Sequence, residues 1–385
     1  MLHSLPSGKS GATNSPSADA VAALPKAHLD FGKVALLLNR NARRVSDRLA
    51  RRMERIVGIE HLFYSRSLDD AEMFAREIVQ RGYGTVVCGG GDGTLIHAVN
   101  LVQRYVAQSN HWRAERWRRH GERQALLQTP RFAFLQLGTG NGMRRVVGSR
   151  DPLADLRRIV DFMPGLEYKL PLIESDGERF VIAGCGYDSL LLNDYNWLKK
   201  RTHSRLLKPF MHSVIGYFVA LFARTLPRIL LSSEGCLELH ATNLGRAYYL
   251  DPRRGDAAIP INPGETLFEG RVGLIGVATI PYYGYGFRAF PFSNIMPGMM
   301  HLRLYRVGPF RTLAHLPSLW RGTYRNPHLV HDFLVENVHI ACAKPFPFQH
   351  SGDDQGLRAE LQFHLADEGL RLLDFYRSQP HGELP

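Results

Sequence analysis

The sequence predicts an α/β domain followed by an antiparallel β domain, and three observations lead to this class. Over residues 31–165, short apolar runs alternate with amphipathic segments, which is typical of a doubly wound parallel sheet. A glycine-rich loop lies between an apolar run and the next amphipathic segment, which indicates a nucleotide-binding domain. After residue 165 the apolar period changes from 3.6 to 2, which favours a β-sandwich or a related double sheet.

The first domain is predicted from alternating apolar and amphipathic segments. In order, they indicate a strand at 34–38, a basic helix at 46–57, a strand at 61–64, a helix at 69–80, a strand at 86–88, a helix from about 95 to 106 and a strand at 132–137. Ligands of such sheets bind at the carboxyl ends of the strands. We therefore expect the functional residues of this domain to follow its strands.

The loop Gly89–Thr94 is the strongest functional signal in the chain. Its glycines let the backbone turn sharply and let another group come very close. The helix that begins near Thr94 offers unpaired N–H groups to a phosphate. Asp92 suits either of two roles, as a ligand of Mg²⁺ or as a base that takes a proton from a hydroxyl group. A simple chain reversal is the plainer alternative.

A second small-residue loop, Gly138–Gly142, follows the strand at 132–137. Neighbouring parallel strands end at the same edge of a sheet, so the two loops are expected to face one crevice. Together they predict a nucleotide site.

Composition narrows the class of partner. The 385 residues carry a formal charge of +12, which favours anionic partners such as nucleotides or acidic lipid surfaces. The four cysteines are scattered, which suits a reducing compartment, and the 17 histidines show no metal-ligand spacing. Residues 1–30 are rich in Ser, Pro, Ala and Gly without an apolar core, so we predict a disordered tail and no signal peptide.

Residues 109–129 interrupt the alternation of strand and helix. Five arginines, two glutamates and two tryptophans lie within 111–123. The segment is interpreted as a solvated surface insertion or, alternatively, as a patch that contacts anionic lipid. No RNA-binding motif accompanies it, so no nucleic acid partner is expected.

The second domain, predicted over 166–385, contains a stretch that is not β-like. Strands alternate at 237–241, 300–305 and 359–365, and a last strand with a short helix is expected after Asp367. Between them, a helical insertion is predicted near 195–231. From Lys199 to Leu231 the chain is basic and then strongly apolar, which fits either a buried helical hairpin or a membrane-interface element.

Taken together, these motifs resemble the diacylglycerol kinase and sphingosine kinase superfamily, especially its bacterial lipid kinases. The residues that carry the resemblance are Asn39, Gly90-Gly91-Asp92-Gly93-Thr94 with Asn100, Gly138-Thr139-Gly140-Asn141, and more weakly Gly184-Cys185-Gly186-Tyr187-Asp188 and 349–356. They occur in family order over about residues 33–375, and NAD kinases share the glycine-aspartate-glycine-threonine motif.

The resemblance implies a two-domain, ATP-dependent lipid kinase with Mg²⁺. Its nucleotide contacts would be Asn39, Ser65, Gly90, Gly91, Asp92, Gly93, Thr94, Gly138, Thr139, Gly140 and Asn141. The metal ligand would be Asp92, and the catalytic acids would be Asp92 with Asp353 or Asp354. The acceptor would be a diacylglycerol- or sphingoid-like lipid that enters the cleft between the domains.

Several acidic positions of the family are replaced in this chain. His97 stands where the family commonly has Glu, Gly142 where it has Asp, and Pro297 where it has the Asp of a late Asp-Gly pair. Aligning 349–353 with the family's Asp-Gly-Glu stretch places Ser351 on the catalytic Asp. A serine is no base near neutral pH without its own activator, so Asp353 or Asp354 would have to replace it.

Two main hypotheses of different class follow. The first is an active lipid kinase in the cytoplasm, peripheral at the inner membrane face through 199–231 and in part 111–123, and compatible with a homodimer. The second is a protein on the same scaffold that binds nucleotide or lipid without efficient turnover. A kinase for a soluble hydroxyl substrate, of NAD kinase type, is a third and weaker hypothesis.

Overall fold

Two sheets organise the protein. A computed structural model describes residues 24–138, 142–161, 166–204, 206–211, 213–232 and 236–374. Within these residues, six strands form a mainly parallel sheet and 12 strands form an antiparallel sheet. The predicted class, an α/β part followed by a large antiparallel β part, is confirmed.

The parallel sheet is covered by helices on both faces, as a doubly wound fold requires. Leu36 and Leu38 point to one face, against the first and fifth helices, while Ala35 and Leu37 point to the other, against the second and third. The strands are β1 Asp30–Asn39, β2 Leu62–Ser65, β3 Tyr83–Gly90 and β4 Arg131–Gln136; the helices are α1 Asp47–Val57, α2 Leu68–Gln80, α3 Asp92–His120, α4 Met143–Val147 and α5 Pro152–Val160, with a 3₁₀ turn at Ile59–His61.

Side-chain caps fix where several of these helices begin. The Ser46 hydroxyl accepts a hydrogen bond from the backbone N–H of Leu49 at the start of α1. Ser67 and Asp70 form a reciprocal capping box at the start of α2. Asp151 caps α5 in the same way as Ser46 caps α1. The helices predicted at 46–57 and 69–80 are therefore confirmed to within a residue.

Two strands from the later part of the chain complete the parallel sheet. The sheet order is β2-β1-β3-β4-β18-β5, in which β5 is Leu166–Leu170 and β18 is Leu370–Asp374. β18 is parallel to β4 and antiparallel to β5. The sequence assigned both segments to the second domain, whereas hydrogen bonding joins them to the first sheet. The strand expected after Asp367 is present, and the short helix expected after it lies outside the described residues.

The antiparallel sheet is continuous through one long strand, β16. The first part of β16 pairs with β9 and its end pairs with β8, with register shifts between. Its strands are β6 Ile173–Ser175, β7 Glu178–Phe180, β8 Ile182–Gly186, β9 Leu237–Asn243, β10 Ala247–Asp251, β11 Ala257–Ile261, β12 Thr266–Val272, β13 Leu274–Ala278, β14 Met300–Tyr305, β15 Val330–Val335, β16 Asn337–His350 and β17 Asp353–Leu365. Short helical turns occupy Pro252–Arg254, α10 Pro309–Ala314 and α11 Leu316–Trp320.

The alternation predicted for β14 is wrong at two positions. His301 and Arg303 were expected on a solvated face, yet both are fully buried. Asp332, opposite Arg303 on β15, lies 2.8 Å from His301 Nε2 and 2.9 Å from Arg303 Nε. The charges of Arg303 and His301 hold the pKa of Asp332 low against the opposing effect of burial. A paired and hydrogen-bonded charge can be buried where an isolated one cannot.

A helical insertion lies between β8 and β9. It consists of α6 Tyr187–Arg201, α7 Lys208–Met211, α8 Val214–Ala220, a π turn at Leu221–Thr225 and α9 Leu226–Ser232. Buried Asp194 on α6 accepts hydrogen bonds from Arg224, Thr225 and Arg228, which ties the later helices to α6. In the described part of the chain, no helix has both the length and the apolar character needed to cross a membrane.

The interruption predicted at 109–129 is in large part helix. α3 continues for 29 residues to His120, where Gly121 in the left-handed conformation ends it. Two of its arginines, Arg118 and Arg119, pair with Glu115, which supports the extension along the helix. The chain after the helix returns over the N-terminal segment, since the N–H of Ala27 donates to the carbonyl of Leu126.

Candidate functional site

The register of the parallel sheet brings the predicted nucleotide residues to one edge. Asn39, the last residue of β1, lies opposite Ser65, the last residue of β2. On the other side of β1, β3 ends at Gly90, opposite Gln136 of β4. Gly138 lies two residues after the end of β4 and is buried. Thr139, Gly140 and Asn141, also predicted as nucleotide contacts, lie outside the described residues.

Close packing explains two glycines of the first loop. A β-carbon added to Gly89 would lie 2.3 Å from the Leu38 side chain, and one added to Gly90 would lie 2.5 Å from the Thr94 hydroxyl. Asn39 Nδ2 donates a hydrogen bond of 3.0 Å to that same hydroxyl. The end of β1 therefore holds the start of α3 in place, and only glycine fits between them.

Asp92 is the first residue of α3 and lies partly buried in the crevice between the two loops. Its carboxylate accepts hydrogen bonds from the backbone N–H groups of Gly142, at 2.6 Å, and Met143, at 3.3 Å. Burial raises the pKa of Asp92 to about 7, although these two hydrogen bonds oppose the shift. Among the described residues, no positive group offsets the desolvation of this carboxylate.

Gly142 is where the family has an aspartate, and the structure shows why no side chain fits. A β-carbon at Gly142 would lie 2.4 Å from the carbonyl oxygen of Tyr282 and 3.3 Å from Asp92 Oδ2. Tyr282 belongs to the loop after β13, so the antiparallel part of the chain closes over this position. Arg145 stacks on the Tyr282 ring at 4.8 Å and strengthens the contact.

The hairpin between β16 and β17 carries the two aspartates predicted as catalytic. Ser351 and Gly352 form its two-residue turn, both with positive φ, and His350 pairs with Asp353. Asp353 Oδ2 would lie 3.4 Å from a β-carbon added to Gly93, so this carboxylate faces the phosphate loop. Asp354 alternates to the other side of the strand, where it accepts a hydrogen bond from the N–H of Gly356.

The surroundings of Asp353 combine crowding with positive charge. Burial raises its pKa, and the charges of His97 and Lys199 oppose that rise. His97 lies on α3, one helical turn beyond Gly93, and Lys199 lies on α6. Ser351, which aligns with the family's catalytic Asp, directs its backbone N–H to the carbonyl of Ile182.

A hydrogen-bonded network around Asp188 lies beneath the hairpin. The sequence showed its Gly-x-Gly-x-Asp motif but did not predict that this network supports the site. Asp188 Oδ2 accepts hydrogen bonds from Gln349 Nε2, at 3.0 Å, and from the Tyr283 hydroxyl, at 3.1 Å. Gln349 Oε1 in turn accepts from the N–H of Gly352 in the turn. A β-carbon on Gly184 would lie 2.1 Å from Asp188 Oδ2, so the motif's first glycine makes room for the carboxylate.

Asn100 completes the family motif on α3 but lies away from the loop. Its side-chain amide donates to the Arg179 carbonyl, at 2.7 Å, and its oxygen accepts from the Arg179 N–H, at 2.9 Å. Arg179 is on β7, so Asn100 joins the two sheets. The two hydrogen bonds link α3, which covers the parallel sheet, to β7 of the antiparallel sheet.

The residues present fit a magnesium ion held mainly by phosphate and water. Among the described residues, no three or more His, Cys, Asp or Glu side chains come together to hold a metal. Mg²⁺ in kinases uses one or two carboxylates together with substrate phosphates, and Asp92 can supply one. A structural metal near Pro297 does not fit, because the positively charged Arg246 guanidinium is close by. It would lie 3.4 Å from a β-carbon added to Gly298.

Comparison with known proteins is consistent with this geometry. Residues 33–162 match the family model of the diacylglycerol kinase catalytic domain. A diacylglycerol kinase from Bacillus anthracis str. Sterne aligns with a TM-score of 0.55 and 12% identity, over 90% of this chain and 97% of that one. A candidate diacylglycerol kinase from the same organism aligns with a TM-score of 0.59 and 15% identity, over 91% and 97%. No curated protein matches the chain by sequence.

Proposed function

We propose that the chain is an ATP-dependent lipid kinase, because residues 33–162 match the family model of the diacylglycerol kinase catalytic domain and carry the motifs that predicted it. It transfers the γ-phosphoryl group of ATP to the hydroxyl of a diacylglycerol- or sphingoid-like lipid. The observation that carries the proposal is the position of the Asp353 carboxylate, next to Gly93 in the phosphate loop.

The proposed reaction needs positioning and charge compensation more than covalent work by the protein. The backbone N–H groups at the start of α3 hold the phosphates of ATP. Mg²⁺, with Asp92 as its protein ligand, would offset the negative charge of those phosphates. We assign Asp353 as the base. Asp354 points away from the phosphate loop, and we assign it no part in the chemistry.

In the transfer step the acceptor hydroxyl gives its proton to Asp353. The acceptor oxygen then bonds to the γ-phosphorus, the bond from that phosphorus to the β,γ-bridging oxygen breaks, and ADP leaves. Asp353 must be ionised to act as a base, and the charges of His97 and Lys199 favour that form. His97 and Lys199 are therefore part of the proposed site.

Exposed apolar side chains on the helical insertion support a peripheral membrane contact. Leu206 is 83% exposed and Leu231 is 88% exposed. Six more large apolar side chains of the segment are at least 37% exposed: Leu207, Phe210, Ile215, Phe218, Phe222 and Leu230. Monomeric proteins rarely leave such a set uncovered, and the exposed Lys200 and Arg201 at the end of α6 would meet anionic head groups.

The basic segment 111–123 contributes less to this proposal. Arg116 pairs with Glu122, and Arg118 and Arg119 pair with Glu115, so much of its charge is compensated. Trp112 is half-exposed but stacks with Arg116 at 4.8 Å. We therefore assign the membrane contact to 199–231. The cytoplasmic location and the homodimer remain predictions.

A transfer assay tests the proposal. Purified protein is given radiolabelled ATP, Mg²⁺ and diacylglycerol, a sphingoid base or a total lipid extract, with Asp92→Ala as the control. Labelled lipid above the control supports the kinase. ATP binding without labelled lipid contradicts it and favours the binding protein on the same scaffold, which the serine at position 351 would suit. Labelling of NAD or another soluble alcohol alone favours the third hypothesis.

A further inference from the structure

Resting on the proposed kinase function, we infer that the acceptor's head group lies against Tyr195, Tyr217 and Tyr285 and that this subsite takes an anionic head group and rejects a protonated amine. The inference concerns the acceptor side of the cleft, and it chooses between the two lipid classes that the proposed function leaves open.

A strip of aromatic rings leads away from Asp353. The charge of Asp353 acts on the Tyr217 hydroxyl, so the two side chains are neighbours. Tyr217 stacks on Tyr195 with ring centroids 3.8 Å apart and meets the edge of Tyr285 at 6.4 Å. Tyr195 is buried beneath, while Tyr217 is partly exposed and Tyr285 is 39% exposed. The outer rings therefore offer an accessible wall beside the proposed base.

Cations lie along this strip. Lys199 Nζ is 4.8 Å from the centre of the Tyr195 ring and also acts on Asp353. Burial raises the pKa of Tyr195 to about 12 and also raises that of Tyr285, while the charge of Arg43 opposes both shifts. Arg43, from the loop after β1, therefore acts electrostatically on both hydroxyls. His97 is a third basic group, and its charge acts on Asp353.

Negative charge beside this strip comes from Asp353, whose carboxylate acts on the Tyr217 hydroxyl. As the proposed base it must stay free to accept the acceptor's proton. A protonated amine would pair with Asp353 and compete with that step, and it would also lie beside Lys199 and Arg43, where like charges repel.

One replaced acid points the same way. His97 stands where the family commonly has Glu. This replacement exchanges a negative charge near Asp353 for a basic group. The chemistry of such a site complements a phosphate-bearing lipid that keeps a free hydroxyl.

The test compares three acceptors in uncharged detergent micelles, which remove the effect of membrane charge. The acceptors are monoacylglycerol phosphate, diacylglycerol and sphingosine. We expect kcat/KM to fall in that order, with the anionic acceptor preferred over the amine by roughly tenfold or more. Lys199→Gln and Arg43→Gln should each reduce the preference for the anionic over the uncharged acceptor by about 3- to 10-fold, mainly through KM.

Matched controls separate this subsite from net charge. Lys344→Gln on β16 and Arg44→Gln, beside Arg43, remove the same charge from exposed positions and should leave the preference unchanged. A preference for sphingosine, or equal effects of control and test variants, would overturn the inference while leaving a kinase. If no acceptor is labelled, the proposed function fails. Binding of each acceptor without ATP then tests the subsite: tighter monoacylglycerol phosphate upholds the inference, and equal or tighter sphingosine overturns it.

Discussion

The two sides of the cleft meet at Gly93 and Asp353 but are built in different ways. The nucleotide side is local: consecutive residues of one strand-loop-helix unit supply the close-packed glycines, the helix start and Asp92. The acceptor side is assembled from Asp188, Tyr283 and the hairpin of Gln349 and Asp353, which are far apart in the chain. A local loop fails if one glycine changes, whereas an assembled wall can exchange individual acids while its framework stays.

The largest expected effect separates the two neighbouring aspartates of the hairpin. Asp353→Asn should lower kcat by about 10²- to 10⁴-fold, because it removes the base that faces Gly93. Asp354→Asn should change kcat less than about twofold, because its carboxylate points away and bonds to the N–H of Gly356. Steady-state transfer with ATP binding measured in parallel checks the pair. A stronger effect at Asp354 would reverse our assignment.

The second effect concerns vesicle binding by the exposed leucines of the helical insertion, on the acceptor side of the cleft. Changing Leu206 and Leu231 together to Ser should weaken pelleting with anionic vesicles by about 100-fold or more, since each leucine buried in lipid contributes roughly 1.5–3 kcal/mol. Ile59→Ser with Leu357→Ser alters two equally apolar exposed residues elsewhere and should have no effect. ATP binding should be unchanged in both variants. Equal losses of vesicle binding would remove the helical insertion as the membrane contact.

A smaller effect tests the framework of the acceptor side. Gly184→Ala should lower the free energy of unfolding by about 2–3 kcal/mol, because its β-carbon would overlap Asp188 Oδ2 in a packed interior. Gly308→Ala is the control, as open space surrounds that position. Chemical denaturation measures both. Similar free energies of unfolding for the two variants would show that the Asp188 network accommodates the added methyl group without loss of stability.

The smallest effect is a dependence of stability on pH at Asp92. Its pKa is about 7 in the folded protein, above the ordinary value of 3.8, so the folded state binds the proton more tightly than the unfolded chain. The free energy of unfolding therefore falls as pH rises from about 4 to 7. The full shift would correspond to about 4 kcal/mol, but solvent reaches part of the Asp92 side chain, so we expect a change on the order of 1–2 kcal/mol. Asp92→Asn should lack this contribution. Denaturation at pH 5 and pH 8 without nucleotide compares the two proteins, and identical slopes would contradict the prediction.

The contrast between the local nucleotide side and the assembled acceptor side also explains which features could be predicted from the sequence. The glycine loop, its strand and its helix were visible because periodicity and glycine spacing are local properties. The burial of His301 and Arg303 was not, because it depends on Asp332 from another strand. The choice of Asp353 over Asp354 also needed the structure, since it rests on which side of β17 meets Gly93 across the cleft. Likewise, nothing local in the sequence indicates that Tyr195, Tyr217 and Tyr285 come into contact.

The last strand of the parallel sheet has a consequence for synthesis of the protein. β18 lies between β4 and β5 but is made 200 residues after β5 ends. At about 5–20 residues per second, a ribosome needs roughly 10–40 s to bridge that interval. Until then the edge of β4 remains open, with its backbone groups available to other chains. The nucleotide half thus cannot finish folding ahead of the acceptor half. We expect the nascent chain to bind chaperones until β18 has been made and completes the parallel sheet.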